Sequence, residues 1–335
     1  MKAAVERRGW LDVAEVGSVW GIRFVVALCT LFGRGAARAF LRVLAFYYVL
    51  FHRGARASSR RYLERLAAQG VPLDGDAPAA PPLAEGAHTA LPLAEGAPVA
   101  PQRVTFGMTY RHFRTFADVA LDRLLIAAGR YPLFEVTSNG RENLDRLKAE
   151  RRGALLLGAH LGSFEAMRLG AVTQSLPINM VVNFSNARML QAVLDRLDPS
   201  ANTRFISVSS QSIDFVLRIR ECIERGEMVA ILADRIGPDA RATSARFLGG
   251  QAKFASGPFI LAAALHCPVY LTFGLYRGGN RYDLYCERFA DAIELPRKQR
   301  DQALAVVVQR YAERLEHYVR LAPYNWFNFY DFWER

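Results

Sequence analysis

Residues 153–170 read GALLLGAHLGSFEAMRLG, and the placement of their glycines decides the architecture. Ala154 to Leu157 form an apolar run between Gly153 and Gly158, the composition of a strand buried on both faces. Gly158, Gly162 and Ser163 then supply turn and cap chemistry, and Phe164 to Leu169 have helix-forming character. The stretch therefore predicts strand, tight loop and helix, with His160 in the loop and Glu165 in the first helical turn.

On a straight helix, residues five apart differ by roughly 140° and do not face each other. His160 must therefore lie before the helix if its ring is to reach back to Glu165. In that arrangement the carboxylate fixes the tautomer and stabilises the imidazolium after proton uptake, the layout of a general base with its orienting acid. Of the 6 histidines, only His160 has a carboxylate five positions on. The plainer alternative is a histidine that caps the helix or hydrogen-bonds in the core.

Outward from this block, strands are predicted at 134–137, 178–183, 204–208, 228–232, 268–275 and 281–289. Helices are predicted at 109–128, 142–150, 186–197, 211–225 and 311–321. Such alternation indicates an α/β fold, with a mixed central β-sheet flanked by helices. Open sheets of this kind bind ligands just past the carboxyl ends of their strands. Asp234 and Arg235, delivered by the apolar run at 228–232, thus form a second candidate site. Arg246, with the following Phe-Leu-Gly, extends the same rim, and Ser163 joins these as a substrate-binding candidate. Ser256 reads as the N-cap of a helix with Pro258 in its first turn.

Residues 19–51 are rich in Val, Leu, Phe and Tyr but interrupted by Arg23, Arg34, Arg38 and Arg42. Spacings of eleven, four and four keep the arginines on one face, which predicts an amphipathic N-terminal helical segment lying in a membrane interface. Its arginine heads would point toward lipid phosphates, and Gly33 and Gly35 would divide it. Residues 71–101 change abruptly to Pro, Ala and Gly, with PLAEGA occurring twice, and read as a disordered insertion. The organisation expected is a membrane-associated segment at 1–70, the insertion at 71–101 and a catalytic domain at 102–335 ending in an aromatic tail.

The formal net charge of +11 is uneven. Residues 1–65 carry twelve Lys and Arg against four acids, whereas 66–101 carry four acids and no bases. A basic, apolar N-terminus suits an anionic membrane surface, and a basic catalytic part suits an acidic carrier protein. No zinc-finger spacing, RNP motif or basic helix with interleaved aromatics points to nucleic acid. The 4 cysteines have neither a CxxC pair nor neighbouring histidines, which argues against a metal site or a disulfide framework. GxSxG, P-loop and dinucleotide fingerprints are also missing.

GAHLGSFE resembles the strand-His-x4-acid block of the late acyltransferases of bacterial lipid A biosynthesis, within the lysophospholipid acyltransferase superfamily. Weaker similarity runs from the helix TYRHFRTFADVALDRL through NGRENL to Asp234-Arg235. The resemblance implies a glycerolipid acyltransferase-like fold at the cytoplasmic face of the bacterial inner membrane. It also implies transfer of a fatty acyl group from a carrier thioester, acyl carrier protein or acyl-CoA, to a hydroxyl of a membrane lipid. His160 would be the base and Glu165 its partner, with Asp234-Arg235 helping to hold the acceptor and no cofactor beyond the thioester co-substrate. The ending APYNWFNFYDFWER departs from the family's tryptophan, histidine and paired-arginine pattern, which leaves lysophospholipids and aryl polyene lipids open as acceptors. A thioesterase using the same dyad on water and a non-catalytic lipid-binding protein are the remaining alternatives.

Overall fold

The computed structural model describes residues 19–75, 102–167, 169, 177–183, 204–208, 214–237 and 240–333. Its centre is a seven-stranded sheet of β1 (Glu135–Asn139), β2 (Ala154–Gly158), β3 (Ile178–Asn183), β4 (Arg204–Val208), β5 (Met228–Leu232), β8 (Val269–Tyr276) and β9 (Arg281–Ala290), in the order β1-β9-β8-β2-β5-β3-β4. β8, β2, β5, β3 and β4 are mutually parallel, while β9 runs antiparallel to β8 and carries β1 with it. The sheet is mixed, as the alternation of elements predicts. The expected helix at 186–197 and nearly all of the 71–101 insertion lie outside the described residues.

β2 is apolar at every position because both faces are covered. Leu155 and Leu157 join the largest core cluster, with α7 (Arg300–Leu321), α2 (Arg53–Ala68) and α6 (Gly257–Leu265). Ala154 and Leu156 point the other way, onto Leu144 and Leu147 of α4 (Arg141–Ala149). The period-2 alternation of a strand thus splits one hydrophobic run between two cores. A further helix, α5 (Asp214–Glu224), leads into β5.

Two elements depart from expectation. Residues 242–255 form an antiparallel hairpin, β6 (Ala242–Phe247) and β7 (Gly250–Ala255), whose two-residue turn places Leu248 at φ 45° and Gly249 at φ 72°. Those left-handed angles suit a hairpin turn matched to strand twist. Ser256 holds the N-cap position of α6 but makes no side-chain cap: its hydroxyl lies 2.7 Å from that of Thr243 instead.

The N-terminal helix α1 (Val19–Phe51) breaks at Gly33, whose φ of 80° is left-handed. Phe24–Phe51 is long and apolar enough to cross a membrane, by length and composition. Its inner side packs on α3 (Phe106–Ala127) through Val25, Ala37 and Leu121, then through Ala45, Val49 and Phe113. Its outer side exposes Leu31, Phe32, Val43 and Phe51, each at least 65% accessible. The direction assigned to the arginines is corrected here. Arg34 lies 2.6 Å from Asp122 of α3, while Arg38 lies 3.4 Å from Asp122 and 3.6 Å from Asp118. These two guanidinium groups face inward because buried carboxylates on α3 need partners more than lipid phosphates do.

Candidate active site

His160 and Asp234 meet because two neighbouring strands end in the same register. β2 and β5 are parallel, with Gly158 opposite Leu232, and Ala233 donates its N–H to the Gly158 carbonyl at 3.0 Å. Each chain runs on two more residues, to His160 on one side and Asp234 on the other. The ring nitrogen Nδ1 of His160 stands 2.8 Å from Asp234 Oδ1, and the His160 backbone N–H donates to Oδ2 at 3.1 Å. The His160 side chain is 25% exposed, whereas Asp234 is sealed.

The carboxyl-terminal segment after α7 completes the pair. Trp326 Nε1 donates to Asp234 Oδ2 at 3.3 Å, and Asn328 Nδ2 donates to the same oxygen at 2.8 Å. Phe327 gives its N–H to the His160 carbonyl at 2.8 Å, while its own carbonyl accepts from Arg235 at 2.8 Å. Arg235 also donates to Asn328 Oδ1 at 2.7 Å. Asn325 fastens the start of this strap: its side-chain oxygen accepts from the Tyr276 N–H at 2.7 Å, and its carbonyl accepts from Gly162 at 2.8 Å. Gly162, at φ 67°, lies so close to Gly274 that a Cβ there would overlap the Gly274 carbonyl.

These contacts set the charges. Burial alone would raise Asp234, but the charge and hydrogen bond of His160, the charge of Arg235 and the hydrogen bond from Asn328 outweigh it and hold the acid at about 2. Asp234 is therefore ionised throughout the physiological range. Its oxygen accepts a hydrogen bond from Nδ1–H of the neutral ring, leaving the Nε2 lone pair free to accept a proton. Burial lowers the His160 pKa from its usual 6.5, and the charges of Arg235 and Arg123 act in the same direction against the pull of Asp234. The ring is neutral at pH 7, the form a base requires.

The expected pairing of His160 with Glu165 is corrected. Residues 164–166 form a turn that leads into helical residues at 167 and 169. From that turn the carboxylate of Glu165 reaches Arg123 of α3 at 2.6 Å instead of the imidazole. Ser163 is fully buried, accepts the Ala166 N–H at 3.1 Å, and donates to Glu165 at 3.4 Å, so its hydroxyl serves the turn. Arg246 sits exposed on β6, its backbone bonded in both directions to Gln309 of α7. Among the described residues no hydrogen bond joins it to the His160–Asp234 group. Of the six residues the sequence singles out, then, His160, Asp234 and Arg235 come together, Ser163 and Glu165 flank them, and Arg246 stands apart.

Sequence reasoning missed Trp326, Asn328 and Arg123. A signal for the central pair did exist: ALLLGAH and VAILADR are both apolar strands followed by alanine and a titratable residue. Identical offsets past adjacent parallel strands bring such residues side by side.

Residues 127–335, well over half of the chain and including the whole His160–Asp234 centre, match the family described as bacterial lipid A biosynthesis acyltransferase. No curated relative matches the chain to narrow that description.

Proposed function

The chain belongs to the bacterial lipid A biosynthesis acyltransferase family and is an O-acyltransferase, and on that premise we propose that His160 is its general base and Asp234 the acid that orients it. The donor is a fatty acyl thioester on acyl carrier protein or CoA. The acceptor is a hydroxyl of a lipid A precursor or related glycolipid. The observation that carries this reading is the 2.8 Å contact between His160 Nδ1 and Asp234 at the carboxyl ends of β2 and β5.

In the reaction, Nε2 of His160 removes the hydroxyl proton as the oxygen attacks the thioester carbonyl. Asp234 stabilises the imidazolium without taking its proton. When the tetrahedral intermediate collapses, the C–S bond breaks and the imidazolium returns its proton to the departing sulfur. Ester and free carrier thiol leave, and no acyl-enzyme forms. Arg123, fixed by Glu165, and Arg235 supply a positive field at the mouth that opposes the developing oxyanion charge. Glu165 is then a positioning residue acting through Arg123.

The exposed apolar face of α1 is compatible with membrane association and supports this reading. Because carrier thioesters are made in the cytosol, the cytoplasmic face of the inner membrane is the proposed location. The test supplies purified protein with acyl carrier thioester and lipid A precursor and follows products by mass spectrometry. Acylated lipid from the wild type and none from His160→Ala is the expected result. Free fatty acid formed at the same rate with and without acceptor would make the protein a thioesterase.

A further inference from the structure

One buried chain of hydrogen bonds enters the active site from the N-terminal helices. Ser59 of α2 and His112 of α3 are both completely buried. The Ser59 hydroxyl lies 2.9 Å from His112 Nδ1, and His112 Nε2 lies 2.9 Å from the carbonyl of Trp326. A carbonyl can only accept, so Nε2 carries the proton and Nδ1 accepts from the serine. Burial lowers His112 to about 4, so the ring is neutral at pH 7 and satisfies both neighbours in this tautomer.

Trp326 is gripped at both ends. Its carbonyl receives His112, and its indole N–H reaches Asp234. Tyr62 of α2 adds a second hold, its ring packed at a tilt against those of His112 and Trp326, at 5.3 and 5.1 Å between centroids, while its hydroxyl donates to the Pro323 carbonyl at 2.6 Å. An apolar side chain of similar volume would fill the space at His112 without the cost of burying two ring nitrogens. The polarity of the ring is used only to fix one carbonyl of the strap and one hydroxyl of α2.

We propose that His112 is a positioning residue for acyl transfer, setting the register of the strap so that Trp326 and Asn328 hold Asp234 against His160. This rests on the reading of His160 as the base. No proton moves along the chain: Ser59, His112 and the Trp326 carbonyl act as a fixed strut between the helical layer and the centre.

The test uses the full-length protein in detergent, labelled with 15N-histidine, with His160 signals assigned by their loss in His160→Ala. His112→Phe keeps the volume and removes both bonds, and His112→Gln can restore both. In His112→Phe the hydrogen-bonded His160 Nδ1–H resonance should shift or broaden and the titration of His160 should move. Turnover of an acyl carrier thioester should drop about tenfold with KM nearly unchanged, the scale expected of a small misplacement. His112→Gln should recover both readouts, and Ser59→Ala should fall between. A folded His112→Phe protein with the wild-type His160 spectrum overturns the proposal, as does equal damage in His112→Gln. Should His112→Phe fail to fold, Ser59→Ala decides by the same spectrum. If the wild type itself turns over no thioester, the reaction assignment fails, while the spectra still judge the strut.

Discussion

Among the described residues two aspartates are fully buried, Asp234 at the proposed catalytic centre and Asp122 at the junction of α1 and α3, and their pKa values move in opposite directions. Asp234 is kept at about 2 by donors rooted in the strand ends and the strap. Asp122 faces two arginines and the Tyr282 hydroxyl at 3.0 Å, yet burial still raises its pKa above the usual value. Positive charge and hydrogen bonds act on both carboxyls, from His160, Arg235 and Asn328 at Asp234 and from Arg34, Arg38 and Tyr282 at Asp122, and they outweigh burial only at Asp234. Arg34 and Arg38 reach Asp122 on long side chains from another helix, and both also donate to the Gly279 carbonyl. The catalytic carboxylate is a charge maintained by its own scaffold; the clamp carboxylate fastens one layer to another.

The largest expected effect separates the two sites by activity. His160→Ala should lower turnover by ~10² to 10⁴ with little change in the thermal melt, and Asp234→Asn should fall close behind. Glu165→Gln should cost less than either, since Glu165 touches Arg123 and not the ring. A mild Asp234→Asn beside a severe Glu165→Gln would exchange the two roles.

Next, Asp122→Asn leaves two arginines facing an uncharged amide and should cost about 3 kcal/mol of stability, near the lower end for a broken buried pair. Denaturant unfolding checks it. No loss there would mean that the clamp is a solvated contact.

Of similar size is an acid effect from His112. Its folded pKa is depressed from 6.5 to about 4, so the unfolded chain binds more protons in that window. Its contribution is present above about pH 6.5 and is lost as pH falls toward 4, at about 1.4 kcal/mol per pH unit. Melts of wild type and His112→Gln should converge across that interval. The rate of acyl transfer should fall on the acid side through a midpoint below 6.5, where His160 takes up its proton.

The smallest effect belongs to Arg61–Asp331, an exposed ion pair joining α2 to the strap at 2.6 Å. Arg61→Ala should cost no more than about 1 kcal/mol, and that contribution should fade in salt. A larger loss would make the strap as dependent on surface charge as on its buried bonds.

The strands were legible because apolar runs bounded by glycine leave few other choices, and β2, β3, β4 and β5 fall where composition places them. His160 was legible by the same reasoning. Its partner was not, because the choice between Glu165 and Asp234 depends on strand order and register, which local spacing does not encode. The hairpin at 242–255 was hidden by short, mixed-polarity strands, although Leu-Gly-Gly at its turn was a usable mark. Arg34 and Arg38 read as lipid-facing because their helical face is visible in sequence, whereas Asp118 and Asp122, some eighty residues away, are not visibly opposite them. The aromatic tail was visible but its task was not, since Asn325 and Asn328 gain meaning only beside β8 and Asp234.

The strap also has a consequence for synthesis. Between α1 and Asn328 the ribosome adds roughly 300 residues, taking about 15 to 60 s at bacterial elongation rates. Throughout that interval the nascent chain carries an exposed apolar helix, and Asp234, once made, lacks the donors from Trp326 and Asn328. A chain stopped before Asn325 would carry His160 and Asp234 on finished strands yet leave the acid open to water. On the proposed reading, delivery to the bilayer would come first and competence last, and errors late in translation would leave inert protein at the membrane rather than an active enzyme adrift.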